Sequence, residues 1–164
     1  MIDTSSDGPE KQSAPIACNA GSVFVLIRQH KKLEVFLMPG ENSIQRKWRQ
    51  FSASMEVGKI SWQATPREVR QEVCLELSKL WSGDTCERFY ELQKECIAML
   101  SVFVGFAGQR LIVQLNAERA AFDRPDLDPA YGRLSAQGKR NTLRYFGTEF
   151  LRCSPEILQR EPIH

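Results

Sequence analysis

Two compact apolar runs stand near the start of the chain. Ser22 to Ile27 reads SVFVLI, Leu33 to Leu37 reads LEVFL, and His30, Lys31 and Lys32 lie between them. Runs of this length, bounded by charge, predict neighbouring strands, and the polar stretch predicts an exposed hairpin connection that accounts for His30 without a chemical role. Trp48 to Ser54 alternates bulky and polar residues less strictly and predicts another strand, followed by a bend at Gly58. Cys96 to Phe106 and Arg110 to Leu115, separated by Gly108 and Gln109, predict two further strands paired as a hairpin.

Between these strands the apolar period changes to that of a helix. Thr65 is placed to cap it and Pro66 to occupy its first turn, so the pattern predicts a helix from about Pro66 to Lys79. Val69, Val73 and Leu77 recur every four residues as the buried stripe. Glu68 and Glu72 form an adjacent row, and Gln71 neighbours both, so that all three can point into one mouth. Periodicity alone leaves open an ordinary amphipathic helix whose acids face water. Further on, Ser82, Gly83 and Asp84 predict a turn within Trp81 to Arg88, and Pro125 and Pro129 restrict a long loop. Ser135 opens a final helix with Leu143, Phe146, Phe150 and Leu151 on its apolar face.

The length of 164 residues suits one well-buried core. We therefore expect a polar leader at 1–17, one domain at 18–160 and a tail at 161–164. Twenty-two Lys and Arg against 20 Asp and Glu leave a net charge of +2, which gives no support to nucleic-acid binding as such. The five cysteines are widely spaced and form no CxxC pair, which points to a reducing interior. No signal peptide is evident, and no apolar stretch has the length to span a bilayer, so a cytoplasmic protein without a membrane partner is expected.

The stretch from Trp48 to Leu77 resembles the signature of Nudix phosphohydrolases. That signature has a glycine, five variable residues, a Glu, seven more residues, then Arg-Glu-apolar-x-Glu-Glu-x-Gly-apolar. Arg67, Glu68, Val69, Glu72 and Leu75 match it in register, while Ala53, Lys59, Gln71 and Cys74 stand where it has Gly, Glu, Glu and Gly. GSVFVLI near the start, WRQFSASMEVGK before the helix and LSAQGKRNTLRYF near the end are similar to the branch containing dihydroneopterin triphosphate pyrophosphatase. The resemblance runs from Gly21 to Phe146 and implies an α/β fold, an alpha/beta/alpha sandwich with a mixed central sheet.

It also implies chemistry. Carried over residue by residue, the metal-holding positions fall on Glu68, Gln71 and Glu72, with Mg2+ or Mn2+ as the ion and Arg67 orienting the acids. Gln71 offers only a neutral oxygen, and Lys59 is a cation at an acid position, suited to meeting phosphate rather than metal. Ala53 adds a methyl where the family backbone approaches closely. Cys74 replaces a helix-end glycine, which a helix continued through Leu77 would explain. Glu118, with Glu72, is a candidate for orienting water, and Lys139 and Arg140 for contacting substrate. The resulting expectation is a divergent hydrolase cleaving a diphosphate linkage in a nucleotide-like or pterin triphosphate. The alternative is a non-catalytic module that binds a nucleotide, an RNA end or a protein partner.

Overall fold

The computed structural model describes residues 13–40, 47–108 and 122–152, with side chains to Phe150. Strand β1 (Ile16–Gln29) turns at His30, in left-handed backbone at φ 54°, into β2 (Lys32–Phe36), and the two pair antiparallel as predicted. Short β3 (Met38–Pro39) pairs with β4 (Trp48–Arg49), and β5 (Phe51–Ser54) pairs with β1. The strand expected over Trp48 to Ser54 is thus interrupted at Gln50. Helix α1 (Ser61–Val73), β6 (Leu77–Glu91), β7 (Cys96–Ala107), α2 (Leu127–Arg133) and α3 (Gln137–Arg152) complete the described elements.

The sheet runs β2-β1-β7-β6, with β5 added on β1. β1 and β7 are parallel and the other pairs antiparallel, which makes the sheet mixed. Val23, Val25 and Ile27 face α1 together with Phe51, Val69 and Val73, while Phe24 and Leu26 face α2 and α3 with Trp81, Leu143, Phe146 and Phe150. With helices on both faces, consecutive β1 residues are buried, which is why this strand reads as an unbroken apolar run. The architecture is the expected alpha/beta/alpha sandwich with a mixed central sheet.

Several local expectations are corrected. The helix predicted over Pro66 to Lys79 begins five residues earlier and ends at Val73, with Pro66 inside it. Thr65 is not its cap. It is fully buried within the helix, and Gly21 on β1 lets the helix approach there, since a Cβ at Gly21 would lie 3.0 Å from Thr65 Cγ2. Close helix–sheet packing thus outweighs the bias against helical backbone before proline. Ala53, paired opposite Gly21, is buried on β5.

The chain leaves α1 at Cys74 in left-handed backbone, φ 55° and ψ 30°, and its N–H reaches the Arg70 carbonyl at 2.9 Å. Cys74 therefore stops the helix rather than extending it through Leu77, and Leu77 joins β6. A residue with a Cβ is strained at such a helix end, where glycine is not. Because the Cys74 side chain is exposed, little packing is lost on removing it. Cys74→Gly is accordingly expected to raise stability by about 1 kcal/mol in urea denaturation. A loss of stability would show that the thiol makes a contact that matters.

The turn expected within Trp81 to Arg88 is instead a bulge in one long strand. The β6–β7 register shifts between Ser82 and Cys86, and Asp84 takes φ 50°. β7 pairs antiparallel with β6, and Arg110 to Leu115, expected as its hairpin partner, lie outside the described residues. The loop expected around Pro129 contains α2, with the proline in the first turn, where no helical partner for an N–H is required. Among the described residues, no helix is long and apolar enough to cross a membrane.

Candidate functional site

The polar row of α1 divides as the helix turns against the sheet. Glu72 faces inward and is buried, Glu68 is half-buried, and Gln71 is exposed. Arg49 reaches Glu72 from β4, its Nη2 donating to Glu72 Oε1 at 3.3 Å. Its Nη1 donates to the Gln50 carbonyl at 3.2 Å, which braces the guanidinium on its own strand. Lys59 is exposed on the loop before the helix, where its backbone N–H closes a turn on the Glu56 carbonyl at 3.0 Å. Arg67 forms an ion pair with Glu56 and donates to the Ser54 carbonyl at 3.4 Å. Its visible task is to tie that turn to the helix.

A second polar cluster lies on the other side of Gln50, which is itself buried. The Gln50 amide donates to Ser22 Oγ at 2.9 Å and to both carboxylate oxygens of Glu87 at 3.0 and 3.2 Å, and Ser22 Oγ donates to Glu87 Oε1 at 3.4 Å. Burial pushes the Glu87 carboxyl above its ordinary range, opposed by the charge of Lys139 and by the bonds from Ser22 and Gln50. Burial likewise pushes Lys139 below its ordinary range, opposed by Glu87 and assisted by Arg49. Glu87 and Lys139 line one cleft of about 670 Å³ between β6 and the first turns of α3, together with Arg88, Phe89, Asn141 and Thr142.

Of the sequence-predicted site residues, Glu72 lies at the Arg49 contact and Lys139 in the cleft. Arg140 donates instead to the Leu134 carbonyl at 2.7 Å, the Ser135 carbonyl at 3.2 Å and Gln137 Oε1 at 2.8 Å, so its guanidinium holds the α2–α3 turn. Glu118 lies outside the described residues. Sequence reasoning missed Arg49, Gln50 and Glu87. Glu87 stands in the segment read as a turn, and its bond to Gln50 spans 37 positions, so no local spacing reveals it.

The Glu87 shift has a testable consequence. A carboxyl raised in the fold keeps its proton longer than in the unfolded chain, so its favourable share is complete below the ordinary value of 4.5 and is lost as pH rises through the higher folded value. Glu87→Gln has no proton to lose. The melting temperature of this variant relative to wild type is expected to climb as pH rises above 4.5, by about 2–4 °C per kcal/mol for a chain of this size. A difference that stays flat with pH would mean that Glu87 ionises as it does in water.

The donor set does not fit the divalent site that the family signature implies. The signature's four acid positions hold Lys59, Glu68, Gln71 and Glu72, and Glu72 already holds a guanidinium. Among the described residues, no three His, Cys, Asp or Glu side chains are grouped to hold a metal ion.

The layered sheet, with α1 and its polar row on one face and α3 on the other, has the Nudix fold. Solved structures of that fold superpose over most of the chain. An Ap4A hydrolase binary complex from C. elegans matches with TM-score 0.67 at 19% identity, covering 80% of this chain and 96% of that one. The dihydroneopterin triphosphate pyrophosphohydrolase of E. coli matches with TM-score 0.67 at 17% identity, covering 82% and 97%. The NUDIX domain of Shewanella oneidensis NrtR, in complex with ADP ribose, matches with TM-score 0.62 at 9% identity, covering 82% and 86%. No family model and no curated protein matches the sequence. Identities this low establish the fold alone.

Proposed function

We propose that this chain is a Nudix-like module that binds a nucleotide-like or pterin phosphate without cleaving it. The observation that carries the reading is the ion pair between Arg49 and Glu72. The helix acid that the family resemblance assigns to metal is engaged by a cation of the chain itself. Lys59 and Gln71 remove two further negative charges from the same face. The cleft between β6 and α3 remains, with Lys139 as the cation that meets phosphate and Phe89 as an apolar wall for a ring. Lys59, exposed on its loop, is a second group for a phosphate arriving at α1.

The second reading is a divergent hydrolase that cleaves a diphosphate linkage with Mg2+ or Mn2+. It is favoured by the register of α1, which keeps Glu68 and Glu72 one turn apart. It requires Glu72 to exchange Arg49 for the ion that the resemblance assigns to Glu68, Gln71 and Glu72.

Calorimetry separates the two when it uses nucleoside triphosphates, dihydroneopterin triphosphate, dinucleoside polyphosphates and ADP-ribose. Each is run with EDTA, Mg2+ or Mn2+, with chromatography of the products. The binding reading expects saturable heat that persists in EDTA, weakens in Lys139→Met and is accompanied by no product above Glu72→Gln. Metal-dependent product that vanishes in Glu72→Gln would replace it with the hydrolase reading. Absence of heat from every compound would reject both and redirect the search to RNA-end or protein partners.

A further inference from the structure

The buried carboxylate of α1 is met by a cation of the chain itself. Among the described residues, Arg49 reaches Glu72 from the sheet, Arg67 pairs with Glu56, and Lys59 stands on the preceding loop. A hard divalent ion is held by oxygen ligands that carry an excess of negative charge. At Glu72 that negative charge is already met by Arg49.

The contact at Glu72 is built into the interior rather than laid on the surface. The Arg49 side chain is 18% exposed and that of Glu72 is 6% exposed. A carboxylate buried to this extent requires a cation or hydrogen-bond donors. The chain supplies the cation covalently, from a strand whose next carbonyl fixes the guanidinium. Lys139 lies near enough for the Arg49 charge to act on it, so positive charge continues from this contact toward the cleft.

We infer that Arg49 is a built-in replacement for a divalent cation at Glu72. In the wild-type chain, Glu72 is accordingly no divalent-cation ligand, and a single neutral substitution at Arg49 creates a site centred on it. Substitution by lysine creates none, because an ammonium still supplies positive charge beside the carboxylate. The inference rests on the same Arg49–Glu72 pair as the binding reading and deepens it, while its test reads the ion at α1 apart from whatever the cleft accepts.

The test uses Mn2+ alone, followed by electron paramagnetic resonance and by thermal melting, and so needs neither a phosphorylated ligand nor turnover. Wild type, Glu72→Gln, Arg49→Lys, Arg49→Gln and Arg49→Gln with Glu72→Gln are compared. Arg49→Gln is expected to bind Mn2+ about tenfold or more tightly than wild type and to melt higher as Mn2+ is added. The gain should be absent from Arg49→Lys and lost in the double variant. Wild type that binds as tightly as Arg49→Gln and loses the ion in Glu72→Gln overturns the inference, as does a gain that survives removal of Glu72. Should Arg49→Gln fail to fold alone, saturating Mn2+ must restore the fold; a chain that stays unfolded with the ion also overturns it.

Discussion

Arg49→Leu is expected to destabilise the fold by about 3 kcal/mol, the cost of leaving one partner of a buried ion pair behind. The size follows from burial. With Glu72 at 6% exposure, water cannot replace the guanidinium that now lies 3.3 Å from Oε1. The loss is larger than for an exposed pair such as Arg70 with Glu76, whose side chains are 64% and 71% exposed and whose charges water screens. Leucine at both Arg49 and Glu72 should recover most of the loss, because an apolar pair of similar volume leaves no stranded charge. Urea denaturation of wild type, both single variants and the double variant gives the coupling directly. If Arg49→Leu falls within about 0.5 kcal/mol of wild type, the contact is solvated and its role in meeting the Glu72 charge is wrong.

Phe146→Ala is expected to cost about 3–5 kcal/mol and to lower the melting temperature by roughly 10 °C. Phe146 is fully buried on α3 and packs edge-on against Phe24 of β1 at 5.6 Å and against Phe150 at 5.9 Å between ring centroids. It joins the final helix to the central strand. It also lies against the β6 bulge: a Cβ at Gly83 would lie 2.7 Å from Phe146 Cζ and 2.8 Å from the Val102 carbonyl oxygen. The site therefore cannot collapse by moving β6 inward without disturbing the pairing with β7. Phe146→Leu, which retains most of the apolar volume, should lose much less. Equal losses for alanine and leucine would mean that the aromatic edge contacts, rather than the filled volume, hold α3 in place.

The parts of the fold legible in the sequence are those whose burial repeats along the chain. The apolar runs expected as strands fall within β1, β2 and β7, and the unbroken one, Ser22 to Ile27, is the half of β1 covered on both faces, although β1 itself begins at Ile16. The apolar face of α3 is read correctly through Leu143, Phe146 and Phe150. The start of α1 was not legible. Thr65 and Pro66 imitate a helix beginning, and only the close approach permitted by Gly21 carries the helix back to Ser61. The end of α1 was hidden as well, because Cys74 adopts a backbone conformation that glycine usually announces. In β6, the Ser-Gly-Asp sequence imitates a turn, whereas pairing with β7 on both sides turns it into a bulge.

The sequence by itself determined the layers, because apolar periodicity depends only on which face of each element is buried, and the resemblance placed Glu68 and Glu72 one turn apart on a helix. Their electrostatic state was decided by tertiary structure. Coulomb interaction and desolvation depend on distance through space, and the residues that set them, Arg49 for Glu72 and Gln50 with Lys139 for Glu87, arrive from other elements.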